Sequence, residues 1–339
     1  MDFNHTEERR MLADSLRRTL ARGADWATLA ELGVLGALFT EDEGGFGGQG
    51  FDIAVVFEEL GRAGSPLPVV EAGLAGGLLA DCGQAELVEQ IIAGTLRPAF
   101  AHGEPGLRYD HGPIRTRYED GRLTGRKSVV EGAEGADLLV VTALENGDTV
   151  RLFTVAPDAP GVTLYTTPSL NGGSVSEITF DGAAATPIGG HMGLVENRIE
   201  AATLAVCADA LGAMETARDM TLDYLRTRKQ FGIVIGKFQA LQHRMADVAI
   251  EIEQARSAVI NLAGHLHADA LARDRHASAA KNMVGRVARL VAEEAIQMHG
   301  GIAMTEEYAL APVSRRLIAV DHRYGDEDWH LERFIRLSA

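Results

Sequence analysis

Four cationic or amide side chains crowd one corner of the sequence, immediately before a Phe-Gly pair. They lie in "DYLRTRKQFGIVIGKFQALQHRMADVAI", residues 223 to 250, and are Arg226, Arg228, Lys229 and Gln230. All four are hydrogen-bond donors, and three of them carry a positive charge. Cations suit the C-terminal end of a helix, but that accounts for only one or two of them. The corner therefore leaves a structural and a binding interpretation open.

The corner must be positioned by the two helices that its flanks predict. Gly232 can adopt the left-handed backbone that ends a helix, so the simplest prediction for it is a C-cap. Apolar residues before and after the corner recur at helical spacing, as in long amphipathic helices. The preceding set is Leu204, Cys207, Leu211, Met214, Leu222 and Leu225, and the following set is Phe238, Leu241, Met245, Val248, Ile252, Ala255, Val259 and Leu262.

The period of the apolar pattern divides the chain into three parts. Residues 1–97 have helical periodicity, residues 98–189 have period-two alternation with hairpin signals such as Asp120-Gly121, and residues 190–339 return to long helices. The fold class predicted is multidomain α+β, with an α-helical N-terminal domain, a central antiparallel β-domain and a C-terminal helical bundle.

Composition excludes several classes of function. The 339 residues are 46% hydrophobic and carry a formal charge of −16, which argues against nucleic acid or an anionic membrane as a partner. Cys82 and Cys207 have no spacing that suggests a disulfide framework or a zinc site. The sequence shows neither a signal peptide nor a membrane-spanning run, so we expect a soluble, cytoplasmic protein.

Three further groups of residues invite a functional interpretation. The loop "TEDEGGFGGQG" is rich in glycine, but its spacing is not that of a phosphate loop, and a flexible connection is the prediction. His265, His267 and His276 lack the i, i+4 spacing of metal ligands and predict a solvated helix end, so no metal site is expected. Gly300-Gly301 predicts another helix end.

Four segments, in order, resemble the acyl-CoA dehydrogenase family. They are "MDFNHTEERRMLADSLRR", "LAELGVLGALFTEDEGGFGGQGFDIAVVFEELGRAG", "RTRKQFGIVIGKFQALQHRMAD" and "EEAIQMHGGIAMTEEYALAPVSRR", and together they span nearly the whole chain. The resemblance implies a C-terminal four-helix bundle, FAD as the cofactor, and a tetramer assembled as a dimer of dimers.

The resemblance also gives the corner a role. In the family, an Arg-x-x-Phe-Gly corner reaches the FAD of a neighbouring subunit, where the arginine meets the pyrophosphate, and a fixed guanidinium fork suits two adjacent phosphates. By match, this arginine is Arg228. The other cofactor-binding residues that the resemblance implies are Gln230, Phe231 and Gln239 around the cofactor, and Gln297, Met298, His299, Gly300 and Gly301 along the dinucleotide.

The catalytic base departs from the family pattern. Acyl-CoA dehydrogenation needs a carboxylate to remove the α-proton, and the family usually places a Glu in a Tyr-Glu-Gly-Thr stretch. Here the text is "HRYGDEDWHLERF", in which Asp326 takes that position and Glu327 follows it. Some members carry the Glu in the helix before the corner, where this chain has Ala202 followed by Thr203.

The ring-side half of the flavin site departs as well. Members that hold their own flavin have a Thr-Glu-Pro-x-x-Gly-Ser-Asp loop, and here "AHGEPGLRYD" retains only Glu104, Pro105 and Gly106. Members also have a Trp-Ile-Thr/Ser segment, whereas "TGRKSVVEGAEGAD" contains no Trp. The half donated to a neighbour is intact. This asymmetry resembles the shorter subunit of the heteromeric α2β2 acyl-CoA dehydrogenases of bacterial steroid and sterol side-chain degradation.

Three hypotheses follow. The leading one is a subunit that lacks the base and works with a homologous chain on an acyl-CoA, with a steroid side-chain CoA as the expected class and an electron-transfer flavoprotein or a similar acceptor. The second is a self-sufficient homotetramer that uses Asp326 as the base. The third is a structural paralogue without catalysis.

Overall fold

The computed structural model describes residues 6–339, so the first five residues of the predicted 1–97 domain lie outside the described residues. Within 6–339, the N-terminal region is helical, and two of its helices begin at side-chain caps. Thr6 accepts a hydrogen bond from the backbone of Arg9, and Asp25 accepts one from the backbone of Thr28. The helices are α1 (Glu7–Leu20), α2 (Trp26–Glu31), α3 (Gly50–Ala63), α4 (Val69–Asp81) and α5 (Ala85–Ile92).

The middle of the chain forms one sheet with the order β6-β7-β3-β2-β4-β5-β8, and β1 pairs with β4. Most pairs are antiparallel, as predicted, but β1 and β2 each run parallel to β4. The strands are β1 (Pro98–Ala101), β2 (Arg117–Glu119), β3 (Arg122–Glu131), β4 (Leu138–Glu145), β5 (Thr149–Val155), β6 (Val162–Pro168), β7 (Ser174–Ala184) and β8 (Thr186–Gly189). One face of the sheet encloses a separate apolar core that includes Phe153 and Phe180.

The chain returns to helix at residue 192, and the predicted class of helical, β and helical regions is confirmed. Three long helices, α6 (Met192–Thr227), α7 (Gln239–His265) and α8 (Ala270–His299), pack with the shorter α9 (Leu310–Val320) and α10 (Glu327–Ser338). No helix in the described part of the chain has the length and apolarity needed to span a bilayer. The exact domain boundaries stay a prediction.

The corner joins α6 to α7, but Gly232 is not the helix cap. Helix α6 ends at Thr227, with Arg228 in an extended conformation as its C-cap. Residues 229–230 (β9) and 233–234 (β10) form a small antiparallel hairpin. Its two turn residues, Phe231 and Gly232, both have positive φ, at 55° and 81°, as a type I′ turn requires. The prediction of a C-cap was wrong. A helix C-cap and a type I′ turn both need a residue with positive φ, so Gly232 alone does not distinguish them.

The glycine-rich loop is packed rather than flexible. A Cβ atom on Gly45 would lie 2.3 Å from the carbonyl oxygen of Phe39, and one on Gly47 would lie 2.3 Å from that of Ala37. Real Cβ atoms do not approach so closely, so these glycines let two stretches of backbone touch. The expectation of a flexible connection is therefore wrong.

The crossing of α3 with α6 also depends on glycine. Helices α3 and α6 meet where a Cβ on Gly61 would lie 1.9 Å from the carbonyl oxygen of Asp209, and a Cβ on Gly212 would lie 1.9 Å from that of Glu58. Because each obstacle is backbone, it cannot rotate away as a side chain would. This crossing fixes the N-terminal region on the long helix that leads to the corner.

We predict that Gly212→Ala lowers the free energy of unfolding by about 3 kcal/mol or more, since the two helix backbones must separate to admit the methyl group. Chemical denaturation measures the loss. Gly301→Ala is the control, because nothing lies within 4 Å of its added Cβ, and we expect a change of less than about 0.5 kcal/mol. Equal stability of the two variants would contradict the close crossing.

Candidate functional site

The corner predicted from the sequence is an exposed cluster of hydrogen-bond donors. Arg226, Arg228, Lys229 and Gln230 are all exposed. Arg226 has one weak ion pair, 3.8 Å from Asp223, whereas Arg228 and Lys229 form no ion pair with any residue in the range 6–339. The corner thus presents guanidinium and ammonium groups whose charge is not neutralised within the described chain, a suitable surface for an anionic ligand.

Phe231 stands at the tip of the hairpin and is 90% exposed. Its φ of 55° is unusual for a bulky residue, and its ring and that of Phe238 lie edge to face, with centroids 6.2 Å apart. Gln239 begins α7 and is exposed beside them. The tight turn therefore holds a large apolar side chain out from the surface, next to the unpaired cations.

The predicted segment 297–301 divides into buried and exposed parts. Met298 and His299 are buried, whereas Gln297, Gly300 and Gly301 are exposed. Of these five residues, the structure leaves only the Gln297 side chain and the glycine backbone free to meet an external ligand. Gly300 has φ 70° and ends α8.

His299 links this segment to the corner. Its ring stacks on Tyr224 near the end of α6, with centroids 4.5 Å apart, and lies edge-on to Tyr308 at 5.3 Å. Its Nδ1 is 2.8 Å from the carbonyl oxygen of Ala295, and burial lowers the pKa of the imidazole. The side chain is thus part of the packing that brings segment 297–301 and the corner to the same end of the helical region.

Asp326 is held by two contacts. Its Oδ1 accepts a hydrogen bond from the backbone of Trp329 at 2.8 Å, which makes it the N-cap of α10, and its Oδ2 accepts one from Arg108 at 2.7 Å. The neighbouring Glu327 pairs with Arg289 at 2.7 Å. Both oxygens of Asp326 are therefore committed to structure.

The alternative base position contains no carboxylate. Ala202 is buried and lines a cavity of about 450 Å³ between α3, α4 and α6. The hydroxyl of Thr203 donates to the carbonyl oxygen of Ile199 within the same helix at 2.9 Å. No group of His, Cys, Asp or Glu in residues 6–339 has the arrangement of a metal site, and the rings of His265 and His276 stack with centroids 3.8 Å apart.

Glu104, which the sequence retains from the flavin loop, is buried inside the β-domain. Its carboxylate accepts hydrogen bonds from Lys127 Nζ at 2.8 Å, from the Thr116 hydroxyl at 2.7 Å and from the backbone of Arg115 at 2.7 Å. Burial lowers the pKa of Lys127 to about 8, against the attraction of Glu104. The contacts of Glu104 hold the loop 102–116 against β3.

Two cavities flank β3 at the junction of the three regions. The hairpin-side cavity, of about 420 Å³, lies between the loop 65–68 and the β6–β7 hairpin. The loop-side cavity, of about 430 Å³, lies between the loop 102–111, Val129 on β3, and α4. Val129 is 68% exposed and has φ 53°, which a β-branched residue rarely adopts.

Three charged residues that the sequence did not single out line both cavities. Arg323 Nη2 lies 2.6 Å from Glu71 Oε1 on α4 and 2.7 Å from Glu131 Oε2 on β3. Burial raises the pKa of Glu71 to about 8, with a contribution from the like charge of Glu131 and against Arg323. A lone carboxylate in the apolar run "LPVVEAGLAGGLLA" was the available signal, but its partners lie far along the chain.

The two halves of a flavin site thus differ in this chain. The corner fits the pyrophosphate of a dinucleotide, since its cations are exposed, and Arg228 and Lys229 form no ion pair among the described residues. The ring side does not fit as well, because β3 presents no aromatic ring to the cavities, and the hydroxyl that it does present, on Ser128, donates to Glu177.

Comparisons with known proteins identify the family of this chain. Residues 6–97 match the model of the acyl-CoA dehydrogenase N-terminal domain, and residues 192–336 match that of the C-terminal domain. The acyl-CoA dehydrogenase FadE28 of Mycobacterium tuberculosis is 32% identical over 319 residues, covering 91% of each chain.

Two solved structures show the same fold over nearly the whole chain. The structure of the Tcur3481-Tcur3483 steroid ACAD G363A variant has a TM-score of 0.88 and 27% identity, covering 98% of each chain. The ChsE4-ChsE5 complex from Mycobacterium tuberculosis has a TM-score of 0.87 and 26% identity, covering 99% of this chain and 98% of that one. Structures of the same fold have also been solved with FAD or FADH2. The chain belongs to the acyl-CoA dehydrogenase family, whose cofactor is FAD.

Proposed function

We propose that this chain is the subunit without a working base in a heteromeric FAD-dependent acyl-CoA dehydrogenase, and that its corner completes the flavin site of a homologous partner. One observation carries the proposal. Arg228 and Lys229, in the corner that would serve a neighbour, are exposed and form no ion pair within the described residues, whereas both oxygens of Asp326, at the position of the base, accept hydrogen bonds within the chain.

The corner is suited to a dinucleotide held by another chain. Arg228 offers a fork of donors for two phosphates, and Phe231 offers an exposed apolar surface beside it. A bulky residue held at positive φ and exposed to solvent has no role in the packing of its own chain. Burial of Phe231 in an interface would stabilise the assembly by about 1.5 to 3 kcal/mol.

The position of the base supports the same proposal, in which this chain contributes flavin contacts and its partner contributes the base. A general base must reach the α-proton of the thioester and accept it, while FAD, when bound, accepts the hydride. To act, Asp326 would have to leave both the α10 cap and Arg108. Asp is also one methylene shorter than Glu, and a misplacement of about 1 Å can cost roughly a hundredfold in rate. The working carboxylate in this proposal lies in the partner.

The names of similar proteins support the finer assignment. One solved structure is described as a steroid ACAD and another as a complex of two chains, ChsE4 and ChsE5. We therefore propose an acyl-CoA with a steroid side chain as the substrate, an α2β2 assembly, and an electron-transfer flavoprotein or similar protein as the electron acceptor.

The proposal is tested by the visible absorbance of flavin in purified protein. The chain expressed alone is expected to be colourless, and the chain co-expressed with a homologous acyl-CoA dehydrogenase chain from its own organism is expected to carry flavin. Bound flavin in the lone chain would favour the homotetramer, and its absence from both preparations would favour the structural paralogue.

We predict that Arg228→Ala weakens FAD binding by the assembled enzyme by roughly tenfold to a hundredfold, because a charge-assisted contact contributes about 1.5 to 3 kcal/mol. Folding is expected to be unchanged, since the side chain is exposed. Arg228→Lys is the matched control, which keeps the charge but not the fork, and should give an intermediate affinity. Wild-type affinity in the alanine variant would refute the assignment.

Asp326→Asn is predicted to leave acyl-CoA-dependent flavin reduction in the assembled enzyme close to that of the wild type. Asn is as good an N-cap as Asp, so α10 keeps its first turn. The lost pair with Arg108 involves a side chain that is 74% exposed. A fall of roughly a hundredfold with substrate binding intact would identify Asp326 as the general base.

A further inference from the structure

A cluster of three charged side chains lies where the three regions of the chain meet. Glu71 comes from α4, Glu131 from the end of β3, and Arg323 from the loop between α9 and α10. One nitrogen of Arg323 reaches both carboxylates, at 2.6 and 2.7 Å. The side chains of Glu71 and Arg323 are only 7% and 12% exposed. The cluster therefore joins the N-terminal helices, the sheet and the C-terminal helices through a single guanidinium.

The cluster stands in the crevice that a flavin ring of this chain would have to enter. By resemblance, the ring-side residues of the family come from the loop retaining Glu104 and from the segment that forms β3 here. Both line the loop-side cavity, and the cluster forms the wall that this cavity shares with the hairpin-side cavity. Arg323 thus bridges from α4 to β3 across the crevice and divides it in two.

A second contact narrows the same crevice. Arg108, from the loop 102–111, pairs with Asp326 at the start of α10 and lies over the ring of Tyr109, 5.0 Å from its centroid. Tyr109 in turn meets Trp329 of α10 edge-on, with centroids 6.3 Å apart. The loop that would face the ring is therefore fastened to the C-terminal helix by its own side chains.

We propose that this ion cluster has replaced the flavin ring as the link between the three regions of this chain, so that the chain's own ring-side half-site does not bind flavin. The inference rests on the proposed function, because it explains why a chain with an intact donated corner carries no second working site. It adds that the crevice has been rebuilt as a structural clamp rather than left empty.

The shape and the charge of the crevice walls support this inference. A ring with a thioester stacked on it needs one continuous cleft, whereas the crevice is split into cavities of about 430 and 420 Å³. Hydride transfer also leaves negative charge on the ring, which the neighbouring carboxylate of Glu131 would oppose. Its cation, Arg323, is already shared with Glu71.

The clamp is sensitive to proton uptake. Glu71 faces Glu131 on β3, Arg323 and Tyr324 after α9, and Asp209 on α6 lines the same cavity as the cluster. Burial raises the pKa of Glu71 to about 8, so the folded state holds this proton more tightly than the unfolded chain does. The resulting stability is fully present below the usual pKa of a glutamate and is lost as the pH rises through about 8.

The first test counts flavin. The apo form of the co-purified complex is titrated with FAD, and the equivalents bound per pair of unlike chains are read from the quenching of flavin fluorescence. One equivalent is expected. Two equivalents would overturn the inference while leaving the heteromeric function standing, whereas an unchanged affinity in Arg228→Ala would count against the proposed function alone.

The second test measures the clamp through the thermal unfolding of the same complex. Arg323→Met is expected to lower the midpoint by roughly 5 °C or more, since it removes the nitrogen that reaches both Glu71 and Glu131 and leaves the Glu131 carboxylate without its cation. The control, Arg315→Met on α9, breaks the exposed pair with Glu306 in the loop before that helix and should change little. Equal midpoints for the two variants would overturn the clamp.

Glu71→Gln tests the clamp by a measurement that can still be interpreted if Arg323→Met fails to fold. The amide can accept from Arg323 and donate to Glu131, but it does not titrate. Relative to the wild type, its unfolding midpoint is expected to rise progressively as the pH goes from about 6 to about 9. A difference between the two proteins that is independent of pH would contradict the shared role of Glu71 in the clamp.

Discussion

Arg323 holds a helix of the N-terminal region and a strand of the sheet with one guanidinium nitrogen, while its own backbone belongs to the C-terminal region. Breaking such a buried contact by removing one partner costs about 3 to 5 kcal/mol, because the remaining charges are left without compensation. This interaction divides the crevice between the three regions, whose relative positions are also held by Arg316, which donates to Asp209 and to the carbonyl oxygens of Ser65 and Asn171. The crevice is also the place at which members of the family carry out their chemistry.

The corner, at the opposite end of the helical region, carries exposed charges instead of buried ones. There the chain leaves cations unpaired and holds Phe231 away from its own core on a tight hairpin. We infer from this contrast that the corner contributes to a site on another molecule. The packing of His299 on Tyr224 keeps the glycine backbone at residues 300–301 beside that corner. The proposed division of labour follows from these two ends together.

The sequence predicted features that depend on local pattern and missed those that depend on distant partners. The fold class was confirmed because each region has its own apolar period. The corner was visible because its cations are adjacent in sequence, but Gly232 was misassigned because a C-cap and a type I′ turn both require positive φ. The burial of Met298 and His299 could not be predicted, since it depends on the helix and loop that carry Tyr224 and Tyr308.

The contact of Asp326 with Arg108 could not be predicted for the same reason. Counting along the sequence placed a carboxylate at the base position, but its partner, Arg108, is 218 residues away. The cluster of Glu71, Glu131 and Arg323 draws one residue from each region, so no single motif contains it. The corner, which faces outward, could therefore be predicted from the sequence. The ring-side half of the site, which faces inward, was described only through the family residues that this chain lacks.

The most direct test of the central claim is a native mass spectrum of the complex purified from cells in which this chain and the homologous chain from its own organism are expressed together. The proposed arrangement predicts equal numbers of the two chains, with one FAD for each unlike pair. A tetramer of this chain alone, with FAD in every subunit, would contradict it.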